Sequence, residues 1–234
     1  MSGHSKWSKI KRKKGAADSK RSSLFTKLAN AISIAAREGS DPNANFKLRM
    51  AIDQAKSFSL PKENIERAIK KGAGELAGSQ IEEITFEGFG PEGIAFVIEV
   101  ITDNRNRAVA DVKHLLAKYG GSLGGPGSVM WMFEHKGVIA LDKQHLTEAE
   151  ELELIDAGVE DIDVEDGLTL YTSIGNFKTV KEKVEALNLP ILEAGPEFVA
   201  KEKVKPTNEN SLLKLYEDLD DSDDINNFYT NADL

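Results

Sequence analysis

The first stretch of this sequence equipped for chemistry is HSKWSKIKRKKGAADSKR, His4 to Arg21. Lys6, Lys9, Lys11, Arg12, Lys13, Lys14, Lys20 and Arg21 make a dense cation set of the kind that grips phosphates whatever bases they carry. Trp7 adds a flat ring that stacks on an unpaired base or a sugar. Lys27, Arg49 and Lys56 extend the positive field into the residues beyond. The bland reading of such a run is a solubilising tail.

The charge balance of the whole chain argues against the bland reading. Residues 1–71 hold 17 Lys or Arg against 6 Asp or Glu, a net of +11, while residues 72–234 hold 13 against 33, a net of −20. A sign reversal of this size within 234 residues points to an anionic partner for the first part, with the acidic remainder discouraging adhesion elsewhere. An arm of this kind senses phosphate and does not by itself separate DNA from RNA.

A second candidate is Thr102-Asp103-Asn104-Arg105-Asn106-Arg107, placed where a strand gives way to a helix. Asp103 or Asn104 there serves as an N-cap with solvated arginines, or else Arg105 and Arg107 at a positive helix end hold an anion such as phosphate. Gly88-Phe89-Gly90-Pro91-Glu92-Gly93 matches G-x-G-x-x-G, but it leads from one strand into another and not into a helix, so a dinucleotide site is not expected. GGSLGGPG, Gly120 to Gly127, follows a helix and precedes a strand; it reads as a flexible connector, although such backbone can cradle a phosphate. His4, His114, His135 and His145 show no metal spacing and no neighbouring nucleophile with an orienting acid.

Composition removes other classes. There is no cysteine, so thiol catalysis, disulfides and thiolate metal sites are excluded. The longest apolar run, Ile94 to Ile101, is short and interrupted by Glu99, so it does not span a membrane, and the N-terminus lacks the apolar core of a signal peptide. A cytoplasmic protein is expected, because an organelle form would need a presequence ahead of the recognisable start at Met1. No cofactor and no metal are expected, and no enzymatic signature is found.

The elements that must position these residues follow from periodicity. Residues 1–22 read as a basic arm. From Ser23, Leu24, Phe25, Leu28, Ala31, Ile32 and Ala35 recur at helical spacing until Gly39 and Pro42. A second helix buries Leu48, Ala51, Ile52, Ala55 and Phe58, and a third runs from Pro61 to Gly72, after which Gly72–Ser79 reads as a linker. Strands at Ile84–Phe89 and Ile94–Thr102, a helix over Asn104–Tyr119 and a strand at Ser128–Phe133 follow. From Val138 the order is strand, helix, strand, strand, helix, strand, with Thr147 and Glu150 forming a capping box. That order is ferredoxin-like. A last helix, Asn208 to about Asp220, is expected to return to the sheet of residues 80–134, and Asp218–Asp224 reads as an acidic tail.

Several blocks, in order along the chain, resemble the YebC/PmpR family: Gly3 to Trp7, Asp41 to Asn45, Leu60 to Gly72, Glu87 to Pro91, Thr102 to Arg107 and Gly127 to Phe133. Arg12-Lys13-Lys14 stands where the family more often has a His-Arg-Lys run, with the charge kept. The family includes the mitochondrial translational activator of cytochrome oxidase subunit one. The resemblance implies an α+β protein: an N-terminal three-helix domain (23–77) followed by two ferredoxin-like α/β domains, the middle one discontinuous (80–135 plus 205–234) and the other spanning 136–204. It adds His4 to the suspects, as part of a family signature. It implies no enzymatic activity and two modes of action, binding of promoter DNA by bacterial members and translational activation on the ribosome and its rRNA by others.

The expectation is therefore a nucleic-acid-binding regulatory protein, first a DNA-binding transcriptional regulator and alternatively a translational activator on the ribosome. The acidic α/β domains are open to a protein partner. An enzyme using the cleft between domains is the remote rival, marked by clustered carboxylates and a metal beside Arg105 or Arg107.

Overall fold

Leu28, Ile32 and Ala35 form the buried stripe of α1, Asp18–Ala35, in the computed structural model, which describes residues 18–76, 81–164 and 167–234, with the backbone alone for 18–21. The helix already includes Asp18, ahead of the expected start at Ser23. No glycine or proline between 18 and 23 interrupts it. Lys20 and Arg21 therefore ride on a helix.

After a 3-10 turn, Ala36–Glu38, the buried Asn45 caps α2, Phe46–Ser57, by accepting from the Leu48 N–H. Its amide donates to the Ala35 and Gly39 carbonyls, both at 2.8 Å, locking the end of α1 to the start of α2. Phe58 lies beyond the end of α2, in a turn, and is exposed, because the helix phase that would carry it inward stops at Ser57. Helix α3, Lys62–Gly72, closes the bundle through Ile65 and Ala68. Gly72, expected to open a linker, instead abuts α1, where a Cβ would lie 2.2 Å from the Ser33 carbonyl oxygen.

The first sheet has the order β3-β1-β2-β8, all antiparallel, from β1 (Glu82–Phe89), β2 (Ala95–Thr102), β3 (Ser122–Leu123) and β8 (Ile225–Thr230). Its helices are α4, Arg105–Lys118, and α7, Glu209–Asp221. Ile94, Phe96, Ile98 and Val100 meet Val112, Leu116, Leu212, Leu215, Tyr216 and Leu219 on one face. On the other face, Ala95, Val97 and Tyr229 pack with Val129, Phe133 and Phe198, while Ile101 meets Ile34 of α1. Burial on both faces is why β2 reads as a continuous apolar run and not as an alternating one.

The second sheet has the order β5-β6-β4-β7, from β4 (Phe133–Leu141), β5 (Val159–Asp163), β6 (Thr169–Ser173) and β7 (Ile191–Ala200). Helices α5, Glu148–Asp156, and α6, Phe177–Ala186, complete it, and the Thr147–Glu150 capping box is formed. Two sequence expectations fail at the junction of the sheets. Ser128–Phe133 is not a strand; Met130–Met132 is a 3-10 turn, and β4 runs unbroken from Phe133 because Phe177 packs directly onto Gly137. The third and fourth strands of the first sheet are β3, inside the glycine-rich loop, and β8, beyond the acidic run.

Candidate nucleic-acid interface

Of the residues with expected phosphate contacts, His4, Lys6, Trp7, Lys9, Lys11, Arg12, Lys13 and Lys14 lie outside the described residues, as do the side chains of Lys20 and Arg21. The remaining five are placed, and four have internal partners. Lys27 is 7% exposed, and its Nζ donates to the Asp220 carbonyl at 2.5 Å. That carbonyl belongs to the last turn of α7, where unsatisfied C=O groups and the helix dipole favour a cation. Lys27 thus fastens the bundle to the C-terminal helix. Arg49 reaches Glu182 of α6 at 3.3 Å and lies 5.3 Å from the Phe46 ring centroid, bracing the bundle against the second sheet's layer.

Asn104 caps α4 by accepting from the Arg107 N–H, which realises the capping reading of that motif. Arg107 makes a forked contact with Asp224, Nε to Oδ2 at 3.1 Å and Nη2 to Oδ1 at 3.1 Å, and takes Asp103 at 3.0 Å. The two carboxylates raise its already high pKa, hydrogen bonding to Asp224 foremost. Arg105 faces Glu82 at 3.6 Å. Lys56 stands exposed in the last turn of α2, with no ion pair among the described residues.

Other cations of the bundle escaped the sequence reading. Arg67, Lys70 and Lys71 lie one turn apart on α3, exposed or half-buried, and form no ion pair among the described residues. Their i, i+3, i+4 spacing in IERAIKKG was the available signal, masked by the benefit of lysines in a last helical turn.

The C-terminal end of the glycine-rich loop is engaged from within. Glu87, 8% exposed, points its carboxylate into it: Oε1 accepts from the Gly127 N–H at 2.6 Å, and Oε2 from Val129 and Met130 at 2.8 and 2.7 Å. Burial pushes the Glu87 pKa up, but the three backbone donors outweigh it and hold the carboxyl below its ordinary value. The Gly127 donor of that loop, with those of Val129 and Met130 just beyond it, already holds an anion belonging to the chain. Glu92, in the G-x-G-x-x-G match, accepts from the Thr207 and Asn208 N–H groups at 2.7 and 2.9 Å, pinning the hairpin to the start of α7. Gly93 supplies the φ of +77° that turns the chain back into β2. The match is a hairpin, as its strand-to-strand setting implied.

Replacing Glu87 by Gln places an N–H2 against backbone N–H groups and strands at least one of them. A buried orphan donor costs about 1–3 kcal/mol, so the urea midpoint of Glu87→Gln should fall correspondingly. The folded-state pKa is depressed, so the contribution of Glu87 is present above the ordinary value of 4.5 and lost as pH falls through the lower folded value. The gap between parent and variant should narrow on acidification; a gap independent of pH would deny the carboxylate its role.

Glu99 of β2, which in the sequence only interrupts an apolar run, accepts from Asn227 Nδ2 at 3.2 Å and from the Tyr229 hydroxyl at 3.1 Å, and that hydroxyl also lies 3.4 Å from the Pro196 carbonyl of β7. Burial pushes its pKa up, with those hydrogen bonds opposing. Among the described residues no group of three or more His, Asp or Glu is placed to hold a metal ion, and His135 is stacked on Phe198 at 4.7 Å. No described helix is long and apolar enough to cross a membrane.

The chain can now be set beside known proteins. Residues 5–75 match the family model described as the TACO1/YebC protein N-terminal domain, and residues 81–232 match that of the TACO1/YebC second and third domain. It is 48% identical over its whole length to a "Probable transcriptional regulatory protein" of Chlorobaculum tepidum, of which 96% is covered. It is 44% identical to one of Thermoanaerobacter pseudethanolicus, of which 98% is covered. A crystal structure of a conserved hypothetical protein from Aquifex aeolicus superposes with a TM-score of 0.83 at 39% identity, covering 92% of this chain and 91% of that one.

Proposed function

Because this chain belongs to the TACO1/YebC family, we propose that it is a regulatory protein that binds nucleic acid and catalyses no reaction, in the first place a DNA-binding transcriptional regulator. The observation that carries this reading is the charge division, +11 in residues 1–71 against −20 in the rest. Exposed Lys56, Arg67 and Lys70 add positive charge on the surface of the bundle. The names of the relatives support transcription as the process regulated. The acidic α/β layers remain the surface open to a protein partner, and the cytoplasm is the compartment that fits.

A second reading, action on the ribosome or its RNA, is favoured by one feature of the bundle. Helices α2 and α3 are joined by a four-residue turn, 58–61, as in a helix-turn-helix, but the first turns of α3 expose Glu63 and Glu66. A recognition helix enters the major groove by its N-terminal residues, and carboxylates there meet phosphates unfavourably. The test compares affinity for a promoter fragment with that for random duplex at physiological salt, alongside sedimentation with ribosomes. The transcriptional reading expects a preference of about a thousand-fold or more. Equal affinities together with co-sedimentation would replace it by the ribosomal one.

A further inference from the structure

The second of the chain's two tryptophans, Trp131, lies in the 3-10 turn Met130–Met132 and is 67% exposed. Burying an indole is strongly favourable, so a ring held in solvent on an ordered turn is informative. The turn is anchored on both sides. Glu87 binds the N–H groups of Gly127, Val129 and Met130, Val129 is fully buried, and the Met132 carbonyl accepts from the Lys201 N–H at 2.9 Å. The ring is therefore presented by a stiff support.

Its polar edge is already used, since Nε1 donates to the Ser128 carbonyl at 3.2 Å, which leaves the flat face as what the residue offers. Gly125-Pro126-Gly127 beside it carries no bulky side chain, and a Cβ at Gly125 or Gly127 would meet nothing within 4 Å. The Lys201 Nζ donates to the Trp131 carbonyl at 2.9 Å, placing an exposed ammonium at the foot of the ring. Glu134, three residues on, is paired with Lys136 at 3.1 Å, a lysine that also meets Glu160 at 3.5 Å. This is a cationic, aromatic spot in the part of the chain whose net charge is −20.

We propose that Trp131 is a second nucleic-acid contact, a platform on which one unpaired base stacks while Lys201 meets the adjoining phosphate. The proposal rests on the nucleic-acid reading above and extends it from the arm to the α/β layers. A protein hot spot fits less well, because such sites cluster apolar side chains. In the loop that carries it, Gly125, Gly127 and Ser128 offer no apolar side chain and Val129 is buried, so Trp131 is that loop's one exposed large apolar residue. Aromatic stacking combined with a neighbouring cation is how proteins hold single strands without reading their sequence.

The full-length chain carrying W7F keeps an aromatic ring in the arm and leaves Trp131 as its only tryptophan. It is titrated with a short single-stranded oligoribonucleotide of mixed sequence and with a blunt duplex of the same sequence, with saturation followed by the anisotropy of a labelled strand. The single strand should quench the Trp131 emission and the duplex should not. W131A should bind the single strand about ten-fold more weakly, W131F should recover most of that loss, and both should keep the parent's melting temperature. Saturation by the single strand with unmoved emission overturns the proposal. So does undiminished affinity in W131A. Absence of binding to either probe would instead remove the nucleic-acid reading as a whole.

Discussion

A chain ended at Lys205 should fail to form the first sheet as a cooperative unit, although its own strands β1 and β2 remain. The deleted segment carries Leu212, Leu215, Tyr216 and Leu219 of α7 and Ile225, Phe228 and Tyr229 of β8, each no more than 2% exposed. Loss of one large core side chain costs about 2–5 kcal/mol, against a total stability of about 5–15 kcal/mol for a domain. Seven such losses exceed any reserve the sheet can have. β2 would also become an edge strand, leaving Ile98 and its neighbours without a cover and inviting association. The expected readings are a lost near-ultraviolet circular dichroism band, dye binding typical of exposed apolar surface, and aggregation on concentration. A truncated chain that melts cooperatively at the parent's temperature would show that α7 and β8 are accessory. Lys27 makes a further point here, since removing Asp220 takes away the carbonyl that receives its buried ammonium.

Neutralising Lys11, Arg12, Lys13 and Lys14 together should weaken nucleic-acid binding most at low salt and flatten its salt dependence. Each phosphate contact contributes a slope of about 0.9 in log affinity against log salt for duplex DNA and about 0.7 for single strands. With all four making contacts, the slope should fall by up to about 3.6 on duplex. The affinity lost between the parent and the variant should then shrink as salt is raised. The ratio of the slope changes on the two kinds of probe also bears on which target the arm serves. An unchanged slope would place the phosphate grip elsewhere, with Lys56, Arg67, Lys70 and Lys71 of the bundle the next residues to neutralise.

Legibility in the sequence tracked how local each signal is. The Asn104 cap, the Thr147–Glu150 capping box and the stripe Leu48, Ile52, Ala55 are written within a few residues, and each is realised in the structure. The hairpin nature of the G-x-G-x-x-G match was equally visible, because two flanking strands exclude the helix that a dinucleotide loop requires. By contrast, β8 is a strand because β2 offers it an edge, Val97 facing Tyr229 across more than a hundred residues. β3 is two residues long and exists only as an addition to β1. Neither length nor periodicity announces such elements, and INNFYT, half of it polar, follows directly on the acidic run Asp218–Asp224. The role of Glu87, in the sequence only the first residue of a family block, depends on a loop forty residues later folding over it.

What the sequence by itself determined is the chemistry available: a cation-rich beginning with an aromatic in it, an acidic remainder, no thiol, and helices and strands in an order that makes an α+β protein. Those properties are sums or short-range patterns, so no fold is needed to read them. Only the tertiary structure decided which cations are committed to the chain itself. Arg107 is occupied by Asp224 and Lys27 by the Asp220 carbonyl, partners 117 and 193 positions away. It decided in the same way that Trp131 stands outside on a turn that periodicity had assigned to a strand. A charge or a ring meets its environment through space, and that environment is assembled from residues whose separation along the chain carries no record of their contact.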